Sequence, residues 1–200
     1  MDCLNEKIAL LYTKKYCAGY EESVQEEYSQ KIIFSIVAIL SQTEKLLLVM
    51  IPFCMIGRFV EYLVLLLTLF LSRVYMGGVH KNSFLACLIH TQIIFFLAFF
   101  GGSYISTNIV NVILIFIIEI MIILMWAPIP SKVKPFYSKK RKKHIKKRGI
   151  YATIVLGVSS FFLWRYISYI CSMLICVQVD AFCAVIRRRK NYYENEGKVK

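Results

Sequence analysis

The segment Arg73-Val-Tyr-Met-Gly-Gly-Val-His80-Lys-Asn-Ser-Phe-Leu-Ala-Cys87 puts an imidazole and a thiol seven positions apart, where one hydrophobic stretch ends and the next begins. A thiol activated by an imidazole can cut an amide through an acyl-enzyme. Within a single helix, seven positions would hold the two groups about 10 Å apart along the axis. Proton transfer needs contact at about 3 Å. Gly77 and Gly78 allow the chain to turn, and Ser83 or Asn82 is a natural N-cap for a helix beginning at Phe84. Cys87 then falls in the first helical turn, and a loop carrying His80 can fold back over the helix start. A helix N-terminus and a nearby imidazolium both favour a thiolate, whereas burial in lipid opposes it. The thiol must therefore meet water or a polar pocket. His90 competes for the role of base, because residues three apart are neighbours on a helix face. Its other reading is an imidazole buried in the span and bonded to another helix. The residues alone leave the choice between His80 and His90 open.

The elements that must hold this pair are membrane spans. Hydrophobic residues make up 58% of the 200 positions and charged residues 18%, a balance too apolar for a soluble domain. The apolar residues also fall in blocks long enough to cross a hydrocarbon core of about 30 Å. The expectation is an all-α polytopic integral membrane protein, one domain over 1–200, with about five to six transmembrane helices. Residues 1–45 are expected as amphipathic N-terminal helices. Residues 46–190 are expected as a transmembrane bundle that contains the catalytic segment 73–87 and a basic cytoplasmic loop, 127–149.

Leu4, Ile8, Leu11 and Tyr12 share one side of a helix, and a second helical stretch from Glu21 to Leu40 ends in an apolar face. Both read as interfacial helices lying along the membrane, the alternative being a soluble helical hairpin packed on the spans. Residues 46–71 are long enough for one tilted span of about 39 Å. Gly57, Arg58 and Glu61 interrupt it, however, where a mid-membrane charge costs roughly 3 kcal/mol. A broken pair of helices is preferred.

Orientation is counted from Lys139 to Arg148, which hold eight of the 25 basic residues. In a soluble protein such a run suggests nucleic acid. Between hydrophobic spans it reads as a topology determinant held in the cytoplasm, with attraction to anionic lipid as a consequence. No nucleic acid partner is expected. Residues 150–166 and 168–186 form a hairpin of two spans, 109–126 enters the basic loop from outside, and 84–100 runs outward. Gly101, Gly102 and Ser103 mark the outer turn. The 73–83 segment therefore faces the cytoplasm.

Seven cysteines in unpaired spacing read mostly as small apolar packing residues, and no metal or other cofactor is expected. The chain start lacks a basic region leading into an apolar one, so no cleaved signal peptide is expected. Glu119 lies inside the span 109–126 and is a functional candidate as an intramembrane charge. Its structural alternative is pairing with Arg58 or Arg165.

With these residues in hand, the chain resembles the AgrB family, the accessory gene regulator B proteins of Gram-positive quorum sensing. The resemblance rests on Arg73 followed by Gly78, His80, Ser83 and Cys87. It rests also on Ala127-Pro128-Ile-Pro130-Ser-Lys132-Val-Lys134-Pro135 just after a span, followed by the basic run. It covers nearly the whole chain. It implies a membrane cysteine endopeptidase of the bacterial cell membrane, multi-pass, with its active site facing the cytoplasm. Cys87 would be the nucleophile and His80 the general base. Arg73 and Gly78 would support them; precursors of this family end in an acidic tail, which Lys132, Lys134 and the run from Lys139 to Arg148 are expected to attract. The implied partner is an AgrD-like precursor peptide, cleaved through a Cys acyl-enzyme and closed into a thiolactone or lactone autoinducing peptide. The apolar spans are also compatible with a homodimer. Lys81 departs from the family pattern, which favours a small residue there, and a cation beside His80 disfavours its protonated form.

Two other classes fit the composition. A small polytopic transporter or exporter would use Glu119, Arg58 and His90 to line a pathway and would tolerate loss of the Cys87 thiol. A noncatalytic scaffold or immunity-type protein would yield no processed peptide.

Overall fold

The computed structural model of the chain describes Lys7 and residues 22–76, 83–105, 108–129 and 138–196. Among them are six α-helices, one short 3-10 turn and no strand. The helices are α1 (Glu22–Met55), α2 (Phe59–Met76), α3 (Phe84–Gly102), α4 (Ile109–Trp126), α5 (Lys139–Phe162) and α6 (Ile167–Glu196), with the turn at Trp164–Tyr166. Four helical stretches, Phe59–Met76, Phe84–Gly102, Ile109–Trp126 and Trp164–Arg187, are long and apolar enough to cross a membrane. The chain is an all-α polytopic membrane protein.

The fifth and sixth expected spans correspond to the apolar ends of α1 and α5. From Leu46 to Met55 a helix extends only about 15 Å, and from Ile150 to Phe162 only about 20 Å. Both fall short of a hydrocarbon core of about 30 Å. The basic run is the N-terminal part of α5 and not irregular chain. Lysine and arginine are good helix formers, and the Ser138 hydroxyl caps the helix by accepting from the Arg141 N–H at 3.3 Å.

The chain divides into two compact units, Met1–Met55 and Ile56–Lys200. In the first, α1 runs unbroken through residue 45 instead of ending near Leu40. No glycine or proline occurs between Gly19 and Pro52, and Ser41 to Lys45 are polar without breaking a helix. The second unit begins with the interruption expected within 46–71. Gly57 takes a left-handed backbone with φ 68°, which a side chain would disfavour. Arg58 then pairs with Glu61 at 2.9 Å in the opening turn of α2.

Within the second unit α6 is the central helix. Half of its span is buried inside the protein, against 17–33% for the other three. It packs against α3, α2 and α4. Ile167 and Cys171 meet Val112 of α4, and one turn on Ile170 and Leu174 meet Leu156 of α5. The opposite faces carry exposed apolar residues at helical spacing, such as Leu63, Leu67, Phe70 and Val74 on α2. A face of that kind is stable where lipid tails solvate it.

At the end of the bundle opposite to Cys87, α3 closes at Gly102 with Ser103 as its C-cap, which is the turn expected at Gly101 to Ser103. A Cβ at Gly102 would stand 2.6 Å from Tyr169 Cδ1 and 3.3 Å from Tyr169 Cα. The ring can rotate, but the backbone of α6 cannot yield without moving the central helix. Gly102→Ala is expected to destabilise the protein by about 1–3 kcal/mol through overpacking. The check is a lowered thermal unfolding midpoint in detergent, with Gly157→Ala as the comparison, where the nearest atoms stand at ordinary contact of 3.6 Å.

Candidate active site

Cys87 lies where the capping argument expects it. Ser83 is extended (φ −106°, ψ 141°) and serves as N-cap, and α3 starts at Phe84. The Cys87 N–H donates to the Ser83 carbonyl at 3.0 Å, which places the thiol in the first turn. The Ser83 side chain makes no capping bond. Cys87 is half-buried, and the Thr91 hydroxyl donates to its carbonyl at 2.9 Å.

One turn further along α3, His90 Nε2 stands 3.0 Å from Asp180 Oδ1 on α6. The other oxygen of the same carboxylate accepts from Arg73 Nη2 at 2.9 Å, in the last turn of α2. The Asp180 side chain is only 6% exposed. A single buried carboxylate thus joins three helices. His90 takes the position of an imidazole bonded to another helix. Asp180 was not singled out from sequence, although a signal existed: an ionisable residue inside the apolar stretch 168–186 is by default a functional candidate.

Glu119 is fully buried on α4. The Gln178 amide of α6 donates to Glu119 Oε2 at 3.1 Å and to the Ile115 carbonyl at 3.2 Å, with the Ser72 hydroxyl at the same carboxyl group. The expected pairing with Arg58 or Arg165 is not what forms. Arg58 is engaged with Glu61, and Arg165 lies in the 3-10 turn, thirteen residues before Gln178. That is about 20 Å along α6, too far for the guanidinium to reach the Glu119 layer.

The second motif begins at the same end as Cys87. The Ile129 N–H donates to the Met76 carbonyl at 3.1 Å, tying the residues after α4 to the end of α2. The Lys146 ammonium donates to the Leu124 carbonyl, and Gly149 sits against Tyr75 and Ile123. Burial and the neighbouring Lys142 hold the Lys146 ammonium below the usual lysine range. The basic run and the Cys87 turn therefore share one end of the second unit. His80, Gly78, Lys132 and Lys134 lie outside the described residues, as does Asn82.

Between α3 and α6 lies a groove of about 440 Å³ lined by Ile93, Leu97, Ile175 and Val179. His90 and Asp180 stand on its wall, and Arg187 at its edge. Among the described residues no three His, Cys, Asp or Glu side chains come together as metal ligands, and the cysteines at 54, 87, 171, 176 and 183 are free thiols. The arrangement is a thiol at a helix start, with a charged clasp one turn away and cationic residues at the same end.

A family model described as accessory gene regulator B matches residues 7–184. No curated protein and no solved structure matches the chain.

Proposed function

The chain belongs to the accessory gene regulator B family, and from that premise we propose that it is a membrane cysteine endopeptidase. Its substrate is a short AgrD-like precursor, which it cleaves on the C-terminal side and prepares for ring closure. The observation that carries this reading is the position of Cys87 in the first turn of α3, within a motif order that the family match spans. Cys87 is the nucleophile and His80 the general base. The thiolate attacks a precursor carbonyl, and the tetrahedral intermediate collapses as the C–N bond breaks. The imidazolium passes its proton to the leaving amine of the C-terminal fragment, and the N-terminal fragment stays on Cys87 as a thioester. Backbone N–H groups at the start of α3 are the donors available to the oxyanion.

A cysteine of the precursor, or a serine, then attacks that thioester and closes a thiolactone or lactone while Cys87 leaves. Exchange of one thioester for another is close to balanced, whereas making the first from an amide is uphill. Removal of the tail or of the ring must therefore draw the reaction forward. Keeping bulk water from the acyl-enzyme favours ring closure over hydrolysis, which gives the edge of a bilayer a chemical purpose. The experiment is co-expression with the short peptide encoded in a neighbouring reading frame, with trapping of a hydroxylamine-sensitive adduct on Cys87. A precursor still cut by Cys87→Ala overturns the proposal.

The enzyme sits in the bacterial cell membrane with Cys87 toward the cytoplasm. This is supported by the basic run of α5 lying at the Cys87 end, since cytoplasmic segments carry the excess of Lys and Arg. The same cations, with Lys132 and Lys134, attract the acidic C-terminal tail of the precursor. Replacing Lys132 and Lys134 with glutamine is expected to raise KM about 3- to 10-fold at low salt. The difference should shrink toward none near 1 M salt, where screening acts within about 3 Å. Unchanged KM at low salt would remove these two lysines from substrate binding.

One observation favours a second assignment of the base. His90 shares the helix face of Cys87 at i,i+3 and is held by Asp180, as an orienting carboxylate holds the histidine of a triad. Comparison of the two histidine variants decides between them.

A further inference from the structure

We propose that Asp180 is a positioning residue for this reaction, clasping Arg73 and His90 so that the start of α3 is set against the end of α2. The inference rests on the peptidase reading for its kinetic consequence and on the geometry alone for its effect on Cys87. The carboxylate divides its two oxygens between two helices, 2.9 Å to the Arg73 guanidinium and 3.0 Å to the His90 ring. Arg73 lies in the turn that ends α2, and His90 lies one turn after Cys87 on α3. The chain connecting those helices carries His80. One side chain from the central helix therefore fixes both elements that the catalytic segment joins.

Stability alone does not account for such a group. Charges taken out of water inside a span are costly, and apolar residues of similar volume commonly replace a buried ion pair without loss. What these bonds add over apolar packing is a defined direction, because a charged N–H donating to a carboxylate oxygen is short and well aligned. Misplacing reacting groups by about 1 Å costs on the order of 100-fold in rate. The start of α3 is where that precision is required.

The test uses the full-length protein reconstituted in phosphatidylcholine–phosphatidylglycerol vesicles, comparing wild type with Asp180→Asn, Asp180→Glu and Arg73→Lys. Two readouts are taken. The first is the rate of N-ethylmaleimide addition at Cys87, resolved by peptide mass spectrometry, with the exposed Cys54 as internal reference. The second is kcat and KM for the co-encoded precursor. In Asp180→Asn, Cys87 alkylation should slow about fivefold or more as its polar surroundings lose their arrangement. Cys54 should stay within about twofold, the spread expected of an unaffected thiol. The loss in kcat/KM should be about 100-fold and fall mainly on kcat. Asp180→Glu and Arg73→Lys keep the charges but shift the clasp, and should fall between Asp180→Asn and wild type. They also keep the test decisive where Asp180→Asn does not fold.

Wild-type Cys87 alkylation and kcat in a folded Asp180 variant would overturn the proposal. So would equal changes at Cys87 and Cys54, which would mark general loosening. If Cys87→Ala still cleaves the precursor, the peptidase reading fails, and the alkylation comparison still judges the clasp.

Discussion

Alanine at Cys87 should remove precursor cleavage altogether, whereas alanine at the base should leave a measurable remainder. Losing the nucleophile of a covalent protease costs on the order of 10⁶-fold in kcat, below what a cleavage assay detects. Losing a general base costs roughly 10²–10⁴-fold, because a thiol retains some nucleophilic anion without help. His80→Ala is therefore expected to cut slowly, at a rate still above the Cys87→Ala background. His90→Ala is expected to lose less, through the weakened clasp on Asp180 and not through proton transfer. The measurement is the initial rate of cleavage for the three variants, with matched membrane levels. Slow cutting by His80→Ala with none by His90→Ala would transfer the role of base to His90, with Asp180 as its orienting carboxylate.

The second large effect concerns Glu119, in the middle of α4 with no exposed surface. Glu119→Lys is expected to destabilise the protein by about 3 kcal/mol or more. That is the cost of a central lysine in a span, and the side chain at this position has no exposed surface. Lysine also has no acceptor for the Gln178 amide, which would lose the partner it now has at 3.1 Å. Glu119→Gln keeps the volume and one carbonyl acceptor and should cost no more than about 1 kcal/mol. Thermal unfolding in detergent, followed by monodispersity on gel filtration, separates the two. Equal midpoints for the lysine and glutamine variants would mean that Glu119 is not enclosed as described. A folded, fully active Glu119→Gln protein would also remove Glu119 from any charge pathway, and with it the main argument for a transporter.

Much of the scaffold is legible in the residues themselves. The limits of α4, the turn at Gly101 to Ser103 and the break at Gly57 follow from local causes: apolar length, paired glycines and a glycine able to take a left-handed backbone; α3 starts at Phe84 after an extended Ser83, although that side chain makes no capping bond. Such causes act within a few residues and leave a mark in the chain. The expectations that differed turned on the weight given to polar residues. The helix through residue 45 and the helical basic run show that polar composition alone does not end a helix when no glycine or proline intervenes. Four of the described helices are long and apolar enough to cross a membrane, and the two further expected spans fall on α1 and α5, where a short apolar end continues a polar helix.

By itself, then, the sequence determined the class of the protein and the order of its helices. It also carried the motifs by which the family is identified. Tertiary structure decided the partnerships. Arg73 and His90 are 107 and 90 positions from Asp180, and Gln178 is 59 from Glu119. The periodicity of a helix says which residues share its own face but not which neighbour that face meets. Pairing between charges in separate spans is set by the packing of α6 against α2, α3 and α4, and only that packing shows that one carboxylate serves two helices.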